Sequence, residues 1–152
     1  MRKILRLTTA LLLFPLAGTV FFSELSGENE KNMYANTIFL RVGNAVFTAD
    51  LEENSSARAL KEMLAEGDVT IVTEDYAGME KVGPLGRTLP RNDTRIRTRA
   101  GDLILYQGRY FVIYYGENEW ILTRLGKIRG ASRERLLAAL GSGDTVVTLS
   151  LK

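Results

Sequence analysis

The chain has 152 residues, 45% of them hydrophobic, which is room for one domain with a sizeable core and an appendage. It contains neither cysteine nor histidine, so disulfides, thiolate chemistry, the usual neutral-pH general base and the commonest metal ligand are all excluded. The formal net charge is +2, but of 20 basic residues Arg2, Lys3 and Arg6 precede every acid, and the remaining 17 face 18 acids. The body of the chain is therefore near neutral and lacks the excess positive charge that nucleic-acid binding uses.

Residues 1–23 read as a signal peptide or membrane anchor. The positive start is followed by an uncharged stretch from Leu7 to Ser23 built on Ala10, Leu11, Leu12, Leu13 and Phe14, with small residues Ala17 and Gly18 after it. This is the order of a secretory signal. The charge asymmetry counts against a third reading, a soluble core helix, and two readings lead: a cleaved or lipoprotein-like signal, or an uncleaved helix, since Ile4 to Phe22 approaches the roughly 20 residues that span a bilayer. Either reading gives an exported protein of the cell envelope or extracellular space, membrane-anchored if the segment is retained. Residues 24–36 are polar and read as a flexible linker.

From residue 37 the pattern becomes β-rich. Thr37 to Val42 and Ala45 to Leu51 alternate about Gly43-Asn44, which predicts a tight hairpin. Asn54 is placed to cap a helix carrying Ala57, Leu60, Met63 and Leu64 on one face, ended by Gly67. Val69, Ile71 and Thr73 predict a strand. Tyr76 to Thr94 holds three glycines and two prolines and reads as a long irregular segment with one short strand near Met79 to Val82. Asp102 to Tyr106 and Arg109 to Tyr115 predict a second hairpin about Gln107-Gly108. Trp120 to Leu125 is expected to form a strand or turn, Ser132 to cap a helix through Leu140, and Thr145 to Leu151 to form a closing strand. The expectation is seven or eight strands with two short helices.

The order of these pieces resembles the bacterial cyclophilin-like domain of unassigned function. The matching stretches are Ile38 to Leu51, Ser55-Ser56-Ala57-Arg58-Ala59-Leu60, Thr73-Glu74-Asp75-Tyr76, Gly86-Arg87-Thr88-Leu89-Pro90, Gly101 to Tyr106, and Arg124-Leu125-Gly126-Lys127-Ile128. The resemblance implies a mainly β fold over residues 37–152: a closed eight-stranded cyclophilin-like β-barrel with two short helices, preceded by the signal or anchor helix. Leu16-Ala17-Gly18 also resembles the start of a bacterial lipobox, but the lipidated cysteine of that motif is Thr19 here. Prolyl isomerases of the cyclophilin type carry an arginine in a Phe-His-Arg stretch; without histidine that stretch is absent, and no catalytic residue is carried over.

Charge is unevenly spread. Asp50 to Glu80 holds nine acids against Arg58 and Lys61, whereas Arg87 to Arg99 holds five arginines and one acid, Asp93. Arg95, Arg97 and Arg99 alternate, so a strand there puts three guanidiniums on one face. They form either an anion patch or a solvated face paired with the acidic half; pairing is the favoured expectation. In the aromatic hairpin, Tyr110, Val112 and Tyr114 share one face and Phe111, Ile113 and Tyr115 the other, one of them core and the other free to line a groove. Enzyme templates fail for lack of partners: no histidine serves the serines, Asp50, Glu52 and Glu53 do not make a calcium loop, and Glu117 and Glu119 read as solvated acids of a turn.

The resulting expectation is an exported, non-catalytic binding module for a peptide or small anionic ligand, with Tyr76, Arg91, Gln107 and Tyr115 lining the groove. No catalytic residue, metal ligand, cofactor or nucleic-acid partner is assigned. A prolyl-isomerase-like enzyme with a diverged site is the alternative, and an assembly role without a small ligand is a third.

Overall fold

The computed structural model describes residues 36–152, so the signal or anchor and nearly all of the linker lie outside the described residues. Nine strands and two helices follow in order: β1 Thr37–Val42, β2 Ala45–Leu51, α1 Ser55–Glu66, β3 Val69–Tyr76, β4 Glu80–Pro84, β5 Thr94–Thr98, β6 Asp102–Tyr106, β7 Tyr110–Tyr114, β8 Asn118–Ile128, α2 Arg133–Leu140 and β9 Thr145–Ser150. All strand pairs are antiparallel.

Eight of the strands form a hydrogen-bonded ring, β1-β9-β3-β4-β7-β6-β8-β2, which β2 closes onto β1. The ninth, β5, pairs among the described residues with β8 alone. The expected seven or eight strands become nine among the described residues, because the arginine-rich run forms a strand of its own, β5; β8 is also far longer than Trp120 to Leu125 suggests.

Local chemistry accounts for the ends of the elements. The β6–β7 turn puts Gln107 at φ 52° and Gly108 at φ 73°, and two successive left-handed residues match a tight hairpin to the twist of its strands. The Asn54 side chain accepts from the Ala57 amide at 2.8 Å and its own amide donates to the Arg124 carbonyl at 2.8 Å, so the α1 cap also ties the helix to β8. Ser132 caps α2 by accepting from the Arg135 amide at 3.2 Å.

The main core follows strand alternation. Ile38, Leu40 and Val42 of β1, Phe47, Ala49 and Leu51 of β2, Leu103 and Leu105 of β6, Phe111 and Ile113 of β7, and Val147 and Leu149 of β9 are buried together. Ala57, Leu60 and Leu64 of α1 and Leu136 and Leu140 of α2 join the same cluster, so both helices bury one face against it.

A second, smaller cluster decides where the site lies. Ile96, Ile104, Val112, Tyr114 and Leu122 bury one another, with Met79, Val82 and Tyr106 against them. They come from the opposite face of β4, β6 and β7. The cause is β8: residues 118–122 pair with β5, whereas later residues pair with β6 and β2. The β5–β8 ribbon thus covers the outer face of the sheet, and both faces of β7 are buried.

Candidate functional site

A cavity of about 570 Å³ lies between this ribbon and the sheet. The volume is in the range of small-molecule sites. On the sheet side β4 contributes Glu80 and Val82, β7 contributes Tyr110, Val112 and Tyr114, and β6 contributes Tyr106. Asn118, Trp120 and Leu122 of β8 form the ribbon side, and Tyr76 at the end of β3 with Met79 and Gln107 from the two adjoining turns complete the lining. The registers Glu80↔Tyr114 and Val82↔Val112 explain why these side chains converge, since directly paired residues project from the same face.

Glu80 is the unusual member. It is 8% exposed, and its Oε2 is buried without a hydrogen-bond partner among the described residues. Its carboxyl is bonded by the Tyr114 hydroxyl, which in turn accepts from Asn118 Nδ2 at 3.2 Å. Burial pushes the Glu80 carboxyl above its ordinary range, and the Tyr114 bond only partly offsets this. Burial, and then the Glu80 carboxyl, push the Tyr114 phenol upward. An unmet buried oxygen costs on the order of 1–3 kcal/mol, so this position is arranged against stability. The two non-glycine residues with left-handed backbone among the described residues, Ala77 (φ 50°) and Gln107 (φ 52°), sit in the two turns that border the cavity. Each is followed by a left-handed glycine, Gly78 and Gly108, as a tight hairpin turn requires.

A stability test follows. Because the folded carboxyl titrates above the ordinary 4.5, the unfolded chain loses its proton first, and folding is penalised as pH rises through that window. Glu80→Gln should therefore raise stability at pH 7 by roughly 1 kcal/mol, and the gain should vanish below about pH 4.5. Urea unfolding of both proteins at pH 7 and pH 4 measures this; an equal or lower stability of the variant at pH 7 contradicts the assignment.

Of the residues expected from the sequence, Tyr76 and Gln107 line the cavity. Gln107 Nε2 donates to the Tyr106 hydroxyl at 3.3 Å. Arg91 lies outside the lining, exposed and paired with Asp93 through Nε at 2.7 Å. Tyr115 is on the opposite face of the hairpin, 3% exposed in the main core, where its hydroxyl donates to Asp75 at 3.0 Å. The structure thus unites two of the four. It adds Glu80, Tyr106, Tyr110, Tyr114, Asn118 and Trp120. The parity of Tyr110 and Tyr114 is the available signal for these two; the lone clue to Glu80 is its place at the start of the short strand.

Two arginines of the stripe are paired. Arg95 meets Glu119 at 3.0 Å and Arg97 meets Glu117 at 3.4 Å, across the β5–β8 ribbon. The partners are Glu119 of β8 and Glu117 just before it, not the acids of residues 50–80, because among the described residues β5 pairs with β8 alone. Asp50 is held by Arg129, whose Nε donates to its carboxylate at 2.9 and 3.0 Å. Among the described residues, no three Asp or Glu side chains gather as a metal site requires.

The model of the cyclophilin-like family matches residues 40–151. The chain belongs to the cyclophilin-like family. No curated protein matches it. Among solved structures it is similar to the hypothetical protein AF2241 from Archaeoglobus fulgidus, determined in solution. The two share 11% sequence identity with a TM-score of 0.56, over 76% of this chain and 94% of that one. At that identity the likeness is one of fold. For this family member, the fold alone therefore names no ligand or activity.

Proposed function

We propose that this cyclophilin-like domain is a binding module whose site is the cavity between the outer sheet face and the β5–β8 ribbon, and that its eight-stranded ring is the closed barrel of the family. The observation that carries this reading is the buried, half-unmet Glu80 carboxyl within an aromatic-lined cavity. A carboxyl kept at a cost to folding is explained by a ligand that completes its hydrogen bonds. Among the described residues, the lining includes no lysine or arginine. That supports a ligand offering hydrogen-bond donors, such as a peptide segment, over a small anion, and binding over isomerase chemistry that relies on an arginine.

The N-terminal pattern supports a working place outside the cytoplasm. The mass of the chain purified from its own membrane and secreted fractions tests this: a form cleaved near Ala17–Ser23, or an intact form held in the membrane, agrees with export. An intact cytoplasmic form contradicts it.

Trp120 is the single tryptophan of the chain and lies on the cavity, so its emission reports occupancy. Titration with a set of tripeptide amides should give saturable shifts. Val82→Phe, which adds volume to the lining without entering the main core, should weaken those that bind by about tenfold or more. Shifts that survive Val82→Phe unchanged place binding elsewhere. A proline-peptide isomerisation assay should show no acceleration by the domain; turnover above background would overturn the non-catalytic reading.

A further inference from the structure

Among the described residues, Glu80 is the one carboxylate or cation in the lining, and five of the remaining side chains are aromatic: Tyr76, Tyr106, Tyr110, Tyr114 and Trp120. Aromatic faces carry negative potential, as a carboxylate does, so the carboxyl and the open rings of the cavity have the same sign. An anion would meet these groups without a compensating charge. A neutral apolar ligand would fill the volume but leave the Glu80 carboxyl unmatched. A metal ion would find a single carboxyl among phenols and apolar groups, short of the several oxygen ligands that calcium or magnesium takes. An organic cation satisfies both parts: its charged N–H groups answer Glu80, and its methylene or methyl groups lie on the rings.

The rings differ in availability. Arg109 already stacks over Tyr110, with its guanidinium carbon 5.5 Å from the ring centroid. Tyr106 and Tyr110 also lie against each other at 6.4 Å between centroids. Tyr114 is buried and engaged with Glu80 and Asn118. Tyr76 and Trp120, both 60% exposed, are large apolar groups left open at the rim. Exposed aromatics beside a buried carboxyl define an entry where a cation is partly desolvated and then neutralised.

We propose that the cavity binds an alkylammonium group, with Glu80 as the counter-charge and Tyr76 and Trp120 as the aromatic walls. This rests on the cavity being the binding site and specifies its ligand class. The group has two sources, a free small amine or the side chain of a lysine in a peptide.

The experiment uses the full chain and Trp120 emission with four probes. Butylammonium and Nα-acetyl-lysine methylamide carry the cation; 1-pentanol and Nα-acetyl-norleucine methylamide are their neutral counterparts. The expected result is saturable shifts by the cations with affinity about tenfold above the neutral probes, a preference that Glu80→Gln removes. Tyr76→Leu changes an exposed residue, leaves folding intact and should reduce cation affinity about threefold while sparing 1-pentanol. Preference for the lysine derivative over butylammonium identifies a peptide source, and the reverse a free amine. Neutral probes that bind as well as the cations, with Glu80→Gln unchanged, overturn the cation assignment and leave the cavity standing as an apolar site. If none of the four shifts the emission, the cation assignment falls, and the tripeptide titration decides the cavity separately.

Discussion

Replacing Asp75 with alanine should destabilise the domain by about 3 kcal/mol and lower its melting temperature by about 12 °C. The reason is Lys81, on the face of β4 opposite Glu80. Its side chain has no exposure, and its Nζ lies 2.9 Å from Asp75 and donates to the Gly143 carbonyl. Asp75 also accepts from Tyr115 at 3.0 Å and from the Gly143 amide at 2.8 Å. Without the carboxylate a buried ammonium is left with a carbonyl alone. The expected cost sits at the low end for an orphaned buried charge because Asp75 itself is one-third exposed.

The pH dependence has a definite sign. The Lys81 bond, aided by the Gly143 amide and Tyr115 and opposed by burial, holds the Asp75 carboxyl below its ordinary 3.8. Its contribution is complete above that value and is lost as pH falls through the lower, folded value. The difference between wild type and Asp75→Ala should therefore be full at pH 7 and shrink below about pH 3.8. Urea unfolding at both ends of that range checks it; a variant equal to wild type at pH 7 would show that Lys81 finds compensation elsewhere.

The second large effect is expected at Gly126. It pairs with Leu51 on one side and Leu103 on the other, at the junction where β8 closes the ring onto β2. A Cβ built there would lie 2.2 Å from the Asp50 carbonyl oxygen and 3.1 Å from Leu51 Cα. Both are backbone atoms and cannot rotate away, so Gly126→Ala must push the strands apart, at a cost of about 3 kcal/mol. Gly43 provides the contrast. Its neighbourhood is open, but its φ is 55°, so Gly43→Ala should lose only about 1 kcal/mol, through backbone conformation. Unfolding free energies rank the two, and amide exchange locates the damage. Faster exchange at the Glu52 amide, which donates to Leu125 at 2.9 Å, is expected in Gly126→Ala alone. Equal losses for the two variants would contradict the close-approach argument.

These effects arise from contacts distant in sequence, which is also where sequence reasoning stopped. The β1–β2 and β6–β7 hairpins and both helix caps were legible because Gly43-Asn44, Gln107-Gly108, Asn54 and Ser132 act on residues within a few positions. The alternation of the aromatic hairpin was legible too. Which face was core was not, because the ribbon buries both, and alternation cannot distinguish one buried face from another. Tyr115 therefore looked equivalent to Tyr114, although Asp75, forty residues away, engages its hydroxyl. Glu80 was one acid among nine in its stretch; only the pairing of β4 with β7 turns it toward the tyrosines. The arginine stripe had the right alternation but the wrong expected partners, since the ladder between β5 and β8 sets them.

The binding site we propose is the outer-face cavity around Glu80. Amide chemical-shift mapping of the full chain, titrated with a tripeptide amide that moves Trp120 emission, tests it most directly. The expected perturbations centre on Glu80, Val82, Val112, Asn118 and the Trp120 indole, and they disappear in Val82→Phe. Shifts centred on Arg91 and Asp93, or on exposed Val72 and Val146 of the β3–β9 face, with the cavity amides unmoved, would contradict it.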